Sequence, residues 1–289
     1  FFREREERDK MKYFSWDRLC NFNIHYDTFY SLEYFCRQMQ TLGVKNVELI
    51  AGHPSLFLDH KEIADLSSAK ALLKQHGLKV GSVSAQSCRF RYQFAVKEPE
   101  VKEQTFNFFA NGIRVAAELG SPLLQVNPGW GYWNEPLIEG QKRAAEMFQR
   151  LCRVGQEYGV YLACETLRPQ ESLMGCRMEH VKAIYDMVDD PWFKTMLDTC
   201  AIGVVGESLQ QWFDTFGAEN IIHAHFQDGI PYYHMIWGEG KRKLDEDLKV
   251  LYDNGYQGLI SQELTMGNYY LDPVSYDKRN LSVLSEYFY

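Results

Sequence analysis

Two glutamates, an aspartate and a histidine stand at intervals that could build one chemical site. Glu165, Asp198, His225 and Glu263 are separated by 33, 27 and 38 residues. Each closes a short run that reads as a β-strand, over 160–165, 193–198, 221–225 and 259–263. Each interval has room for one helix and one strand, the repeat of a β/α fold whose strand ends converge in space. Three carboxylates and one imidazole suit a divalent cation such as Mn²⁺, Mg²⁺ or Co²⁺. A carboxylate can bind a cation through one oxygen and offer the other to a substrate proton. Two such groups, on opposite faces of a ketose, would remove a proton beside the carbonyl and return one to the other face. The cation would hold the substrate oxygens and stabilise the developing charge. Singly, the residues have plainer readings: His225 as a satisfied buried histidine, Asp198 as a cap on the next helix. Glu165 and Glu263 resist such readings, because an unpaired buried carboxylate is costly.

The elements that must position these residues follow from the rest of the chain. Its 289 residues fit one α/β barrel or two average domains, and a 45% hydrophobic content excludes global disorder. The net charge is −8, and no cluster of Lys and Arg offers an electrostatic footprint for nucleic acid. Seven cysteines, Cys20, Cys36, Cys88, Cys152, Cys164, Cys176 and Cys200, show no C-x-x-C spacing and read as reduced thiols of a cytoplasmic protein. No apolar run is long enough to span a membrane. Residues 1–10 are charged, lack an apolar signal core and read as a leader or an expression remnant, with 11–289 as a single domain.

Strands are expected over 13–16, 46–50, 79–85 and 121–126, ahead of the four that carry the site. Helices are expected over 31–41, 61–75, 98–119, 139–158, 178–187, 208–216, 244–254 and 276–287. The first shows an apolar stripe of Leu32, Phe35, Met39 and Leu42 and stops at Gly43. Strands and helices thus alternate eight times, which predicts a single (β/α)8 TIM barrel. A doubly wound open sheet would carry a glycine-rich phosphate turn after its first strand, and none is present. The connection after the first strand carries His25 and Asp27. The loop after the third holds Arg89, Arg91 and Tyr92, which either reach a polar ligand or stay on the surface. The loop after the fourth, Asn127 to Trp133, is aromatic and glycine-rich. Its Asn127 and Trp130 are candidates for holding substrate, against the alternative of a packed lid.

Several runs carry a family resemblance: Asn46-Val47-Glu48-Leu49, Cys164-Glu165-Thr166-Leu167, Leu197-Asp198-Thr199-Cys200-Ala201, His223-Ala224-His225-Phe226-Gln227-Asp228, His234 to Lys241, and Gln262-Glu263-Leu264. In this order and spacing the chain resembles the xylose-isomerase-like barrel superfamily from about Met11 onward. Within it, the chain looks closest to the fructoselysine 3-epimerase and tagatose/psicose 3-epimerase branch. The resemblance implies metal ligands at Glu165, Asp198, His225 and Glu263, with Mn²⁺ first and Mg²⁺ or Co²⁺ as alternatives. It implies proton transfer by Glu165 and Glu263. It also implies a substrate-side or loop-ordering role for His234 and a substrate contact at His53, just after the second strand, with His223 behind the site or in the packing.

The expected function is therefore a divalent-metal-dependent epimerase or isomerase of a ketose or substituted keto-sugar. The expected assembly is a homo-oligomer, paired through aromatics such as Trp212, Tyr269, Tyr270 and Tyr287-Phe288-Tyr289, unless these pack the last helix on the barrel. One departure stands out. Tagatose-type epimerases usually place a histidine three residues after the metal-binding aspartate, where this chain has Ala201. That points toward a substituted or bulky sugar, as does the aromatic loop. Alternatives within the superfamily are a C-glycoside lyase acting on a 3-oxo sugar with a small partner subunit, and a sugar or inosose dehydratase. A non-enzymatic sugar-binding barrel and an endonuclease IV-like enzyme rank lower. The latter would want a histidine at Ala201 and an acid at Tyr232.

Overall fold

The computed structural model describes residues 10–85, 91–229 and 233–289. Eight parallel strands close in chain order into a barrel: β1 (Leu19–Phe22), β2 (Asn46–Ala51), β3 (Lys79–Ala85), β4 (Leu123–Val126), β5 (Tyr161–Glu165), β6 (Phe193–Asp198), β7 (Ile221–His225) and β8 (Leu259–Gln262). Two single-turn helices, α1 (Ile24–Asp27) and α7 (Thr199–Val204), cap strand ends. The outer helices are α2 (Leu32–Leu42), α3 (Ser67–Gln75), α4 (Pro99–Glu118), α5 (Leu137–Tyr158), α6 (Met178–Val188), α8 (Leu209–Phe216), α9 (Leu244–Asp253) and α10 (Pro273–Leu284). The expected (β/α)8 TIM barrel is the observed fold.

Local chemistry starts and stops these helices. Ser31 caps α2 by accepting from Tyr34 N–H, Leu32, Phe35, Cys36 and Met39 are buried, and Gly43 ends the helix at φ 75°. Only a residue free of a Cβ adopts that left-handed turn cheaply. A capping box of Ser208 and Gln211 starts α8. The helices bury their apolar faces on the outward residues of the strands, such as Val47, Leu49, Leu162 and Cys164. Phe94, in the connection after β3, stacks on Phe109 of α4 and meets Phe148 of α5 at a tilt, at 4.2 and 4.4 Å between ring centres. Such pairs are worth about 0.5–1.5 kcal/mol each beyond area burial, and they tie that connection to the outer layer.

Side chains alternate across each strand, so the residues two before Gln125, Glu165 and Asp198 share their inward face. These are Leu123, Ala163 and Met196, which form a separate buried apolar cluster. On the β4–β6 side the lower lumen is therefore apolar and packed, whereas β7 places His223 beside Met196.

The structure moves several elements from their expected places. The first strand is Leu19–Phe22, not 13–16. The aromatic stretch at 13–16 instead meets the chain's end through an isolated parallel bridge, Phe14 with Phe288, and Tyr13 N–H donates to Tyr287 O. α3 begins at Ser67, not residue 61, because the segment before it is turned by Asp59 and by a Leu58–Ile63 bridge. α10 begins earlier than expected, at Pro273, where Asp272 accepts from Ser275 N–H. The aromatics expected at an oligomer contact are largely inside: Trp212, Tyr269, Tyr287 and Phe288 are buried, and Tyr289 is exposed. Tyr269, Tyr287 and Phe288 pack around the chain's last helix and end, whereas Trp212 stacks on Phe216 within α8. Cys20, Cys36, Cys152, Cys164, Cys176 and Cys200 are free thiols, and Cys88 lies outside the described residues. Among the described residues no helix is long and apolar enough to cross a membrane.

Candidate metal and proton-transfer site

Glu165 and Asp198 end β5 and β6, His225 ends β7, and Glu263 follows β8 directly. All four are buried and line one cavity of about 170 Å³ at the strands' C-terminal ends. His225 is the hub. Its Nδ1 lies 2.5 Å from Glu165 Oε1 and 3.1 Å from Glu263 Oε2. The Phe22 ring stacks on the imidazole at 5.5 Å. Ligand atoms of Glu165, His225 and Glu263 lie within 4.8 Å of one another, and so do those of Asp198, His234 and Glu263. A larger depression of about 330 Å³ beside α4 includes His60 and Glu157 but shares no residue with either cluster.

Two of the acids, Glu165 and Asp198, are held by neutral partners. Gln125 Nε2–H donates to Glu165 Oε2 at 2.6 Å, and Ser84 Oγ–H donates to Gln125 Oε1. The helix cap expected of Asp198 is present. Its Oδ1 caps α7, accepting from Cys200 N–H at 2.8 Å and Ala201 N–H at 3.2 Å, and also accepts from Gln227 Nε2–H at 2.7 Å. Its Oδ2 stays open to the cavity side, 3.3 Å from His234 Nε2.

His234 arrives on the loop after β7, and Asp228 holds that loop. The Asp228 carboxylate accepts from the N–H groups of Gly229, Gly238, Gly240 and Arg242 at 2.7, 3.0, 2.8 and 2.9 Å. A Cβ on Gly240 would collide with Asp228 Oδ1. The Gly-Glu-Gly turn is thus a backbone cradle around an acid, and it delivers His234 Nδ1 to 3.1 Å from Glu263 Oε2.

Burial pushes the Glu165 carboxyl up to about 8, against the pull of His225. Burial also raises Glu263, but His234 and His225 outweigh it and hold that carboxyl well below its usual range. His225 and His234 lose by desolvation and gain more from their carboxylates, so both rise well above the ordinary histidine value. The donor chemistry fits a cation. Three acids crowd two imidazoles, and Glu263 Oε2 with both His234 nitrogens is buried without a hydrogen-bond partner among the described residues. Buried polar atoms in folded proteins are mostly paired, and oxygen donors with imidazole suit a divalent ion.

Of the residues expected to touch substrate, Asn127 and His234 line the cavity. His53 and Trp130 are not in its lining. His53 Nδ1 is tied to Asp27, whose other oxygen accepts from Ser55 Oγ–H at 2.7 Å. Trp130 packs in the loop after β4 and accepts at its carbonyl from Leu173 N–H. Tyr92 is buried, its hydroxyl 2.5 Å from His60 Nδ1; Arg91 is exposed, and Arg89 lies outside the described residues. Sequence reasoning did not single out Gln125, Gln227, Arg168 or Glu171. Arg168 and Glu171 line the cavity wall as a pair, with Arg168 Nε–H donating to Glu171 Oε2 at 2.9 Å. Gln125 had a signal: it interrupts the apolar run of β4 near its end.

Comparison with known proteins agrees with the barrel fold. The chain is 27% identical over 237 residues to a fructoselysine 3-epimerase of Shigella flexneri, covering 81% of this chain and 85% of that protein. It superposes on an L-ribulose 3-epimerase with a TM-score of 0.79 at 15% identity, covering 92% of this chain and 93% of that one. It also superposes on the IOLI protein, solved with a bound zinc atom, with a TM-score of 0.76 at 19% identity over 93% of this chain and 99% of that one. The sequence model of the xylose isomerase-like TIM barrel matches residues 36–286, and the chain belongs to that family.

Proposed function

We propose that this protein is a divalent-metal-dependent epimerase of a ketose or substituted keto-sugar. Glu165 and Glu263 exchange the proton, and Glu165, Asp198, His225 and Glu263 hold the cation. One observation carries the reading. Two buried carboxylates from opposite ends of the β5–β8 arc approach the same His225 nitrogen, at 2.5 and 3.1 Å, and line the same cavity. Both can therefore address one small ligand. The fructoselysine 3-epimerase relative supports a sugar substrate, and oxygen donors with imidazole make Mn²⁺ our first choice of cation; the proposed setting is cytoplasmic.

A bound cation supplies a Lewis acid that polarises the substrate carbonyl and acidifies the neighbouring C–H. The chain's own residues do the rest. Gln125 fixes Glu165 by its Oε2, and one glutamate takes the proton beside the carbonyl. The other returns a proton to the opposite face, and the roles exchange with the direction of reaction. Phe22, Ile24, Ile50 and Leu167 give the cavity an apolar wall that excludes water around the reacting carbon. The cavity volume suits a single sugar ring, so a substituent would extend beyond it.

Proton NMR in D₂O tests the reading. The Mn²⁺-loaded protein is incubated with free ketoses, fructosamine-type sugars and 3-oxo glycosides. The expected result is deuterium beside the carbonyl together with a new epimer. Release of an aglycone moves the chemistry to elimination. No exchange across the panel, with the cation bound, overturns the epimerase.

A further inference from the structure

Glu48 stands on β2, in the half of the barrel that supplies none of the four proposed ligands. Its side chain is fully buried and does not line the cavity. Four groups converge on it. Ser82 Oγ–H donates to Oε1 at 3.0 Å and Ser261 Oγ–H to Oε2 at 2.8 Å. His223 Nε2 lies 2.8 Å from Oε2, and His225 Nε2 lies 3.2 Å from both oxygens. A buried carboxylate is tolerated only when its oxygens are satisfied, and here β3, β7 and β8 all supply partners.

An ionised carboxylate only accepts hydrogen bonds. Both imidazoles must therefore present Nε2–H to Glu48. For His223 this is a packing solution, since its Nδ1 is buried without a hydrogen-bond partner among the described residues. For His225 it has a consequence at the other end of the ring. With the Nε2 proton committed to Glu48, Nδ1 is the nitrogen that faces Glu165 and Glu263. It is also the one able to give up its proton and offer a lone pair to a cation.

We propose that Glu48 is a positioning residue for the metal centre: it holds His225 in the Nε2–H tautomer and aims Nδ1 into the cavity, and so sets cation affinity without touching substrate. This rests on the metal reading above. A cation bound directly by Glu48, His223 and His225, whose ligand atoms also lie within 4.8 Å of one another, is the competing arrangement. It is disfavoured because both serines donate to the carboxylate and neither Glu48 nor His223 reaches the cavity.

The test compares wild type, Glu48→Gln and Asp198→Asn as full chains, stripped of metal and titrated with Mn²⁺ by calorimetry. Circular dichroism serves as the folding control. Glu48→Gln is expected to bind Mn²⁺ about 10- to 100-fold more weakly, the usual effect of losing a carboxylate behind a ligating histidine. Unchanged affinity in Glu48→Gln, with a loss in Asp198→Asn, overturns the positioning role and leaves the metal reading standing. No Mn²⁺ binding by the wild type overturns both. A second Mn²⁺ equivalent that disappears in Glu48→Gln makes Glu48 a ligand and overturns the proposal. A measurement on the wild type needs no variant. Histidine side-chain ¹⁵N NMR of the protein loaded with Zn²⁺, a diamagnetic substitute, should show His225 protonated at Nε2 and bare at Nδ1. The opposite tautomer overturns the role even if Glu48→Gln does not fold.

Discussion

The two halves of the barrel line the same cavity with opposite chemistry. From the strands β1–β4 and their connections come Phe22, Ile24, Ile50, Ser84, Ala85, Gln125 and Asn127. From β5–β8 and the loops after them come Glu165, Leu167, Arg168, Glu171, Asp198, His225, His234, Glu263 and Thr265. Among the described residues, every ionisable group of the lining belongs to the second half. The first half does hold a charge, Glu48, but keeps it beneath the floor, where it orients His225. The contrast teaches a division of labour. One arc gathers the acids and imidazoles proposed to bind a cation and move protons. The other gives the cavity a neutral face and sets hydroxyls, an amide and one hidden acid against the ionisable arc.

Experiments can break or sharpen this division. Removing the cation with a chelator should have the largest effect. Turnover should fall to background and return with Mn²⁺, and the melting temperature should drop. With cation at 100 times its Kd, the stabilisation lost is about 2.7 kcal/mol. Activity that persists after verified metal removal would take the cation out of the scheme. Glu263→Gln should come next, lowering exchange by about 10²- to 10⁴-fold, the range for a general acid or base, with an unchanged circular dichroism spectrum.

Gln125→Ala, in the supporting arc, should cost less. It removes one hydrogen bond to a carboxylate, worth about 1.5–3 kcal/mol, so kcat/KM should fall about 10- to 100-fold. A loss equal to that of Glu263→Gln would erase the distinction between the arcs. Ser82→Ala, one neutral donor to Glu48, should weaken Mn²⁺ binding only a few-fold, in keeping with about 1 kcal/mol. The smallest effect should come from outside the barrel. Glu103 pairs with Arg150 between α4 and α5 at 2.8 Å on both nitrogens, on the surface. Glu103→Ala should change urea stability by less than about 1 kcal/mol and leave turnover alone.

Much of this was legible in the residues. The alternation of eight strands and helices predicts the closed barrel. The strand ends name the acids and the histidine that meet at the cavity. Where the reading failed, a non-local contact outweighed a local signal. Residues 13–16 are aromatic and strand-prone, yet their partner is the chain's last segment. The true β1 contains Asn21, a poor strand former by type, whose amide is satisfied by Asp277 of α10, 256 residues away. His53 stands just after a strand, as a substrate contact would, but Asp27 holds its ring outside the cavity lining.

The sequence by itself determined which residue types stand at which strand ends, because spacing and alternation are properties of the chain. It could not say what the other face of a strand meets. Glu48 lies between Val47 and Leu49 in a pattern equally suited to a half-exposed strand. Only closure of the sheet turned that face into the lumen and brought His223, 175 residues on, against its carboxylate. Alternation separates two faces, and tertiary structure decides which of them is left in water.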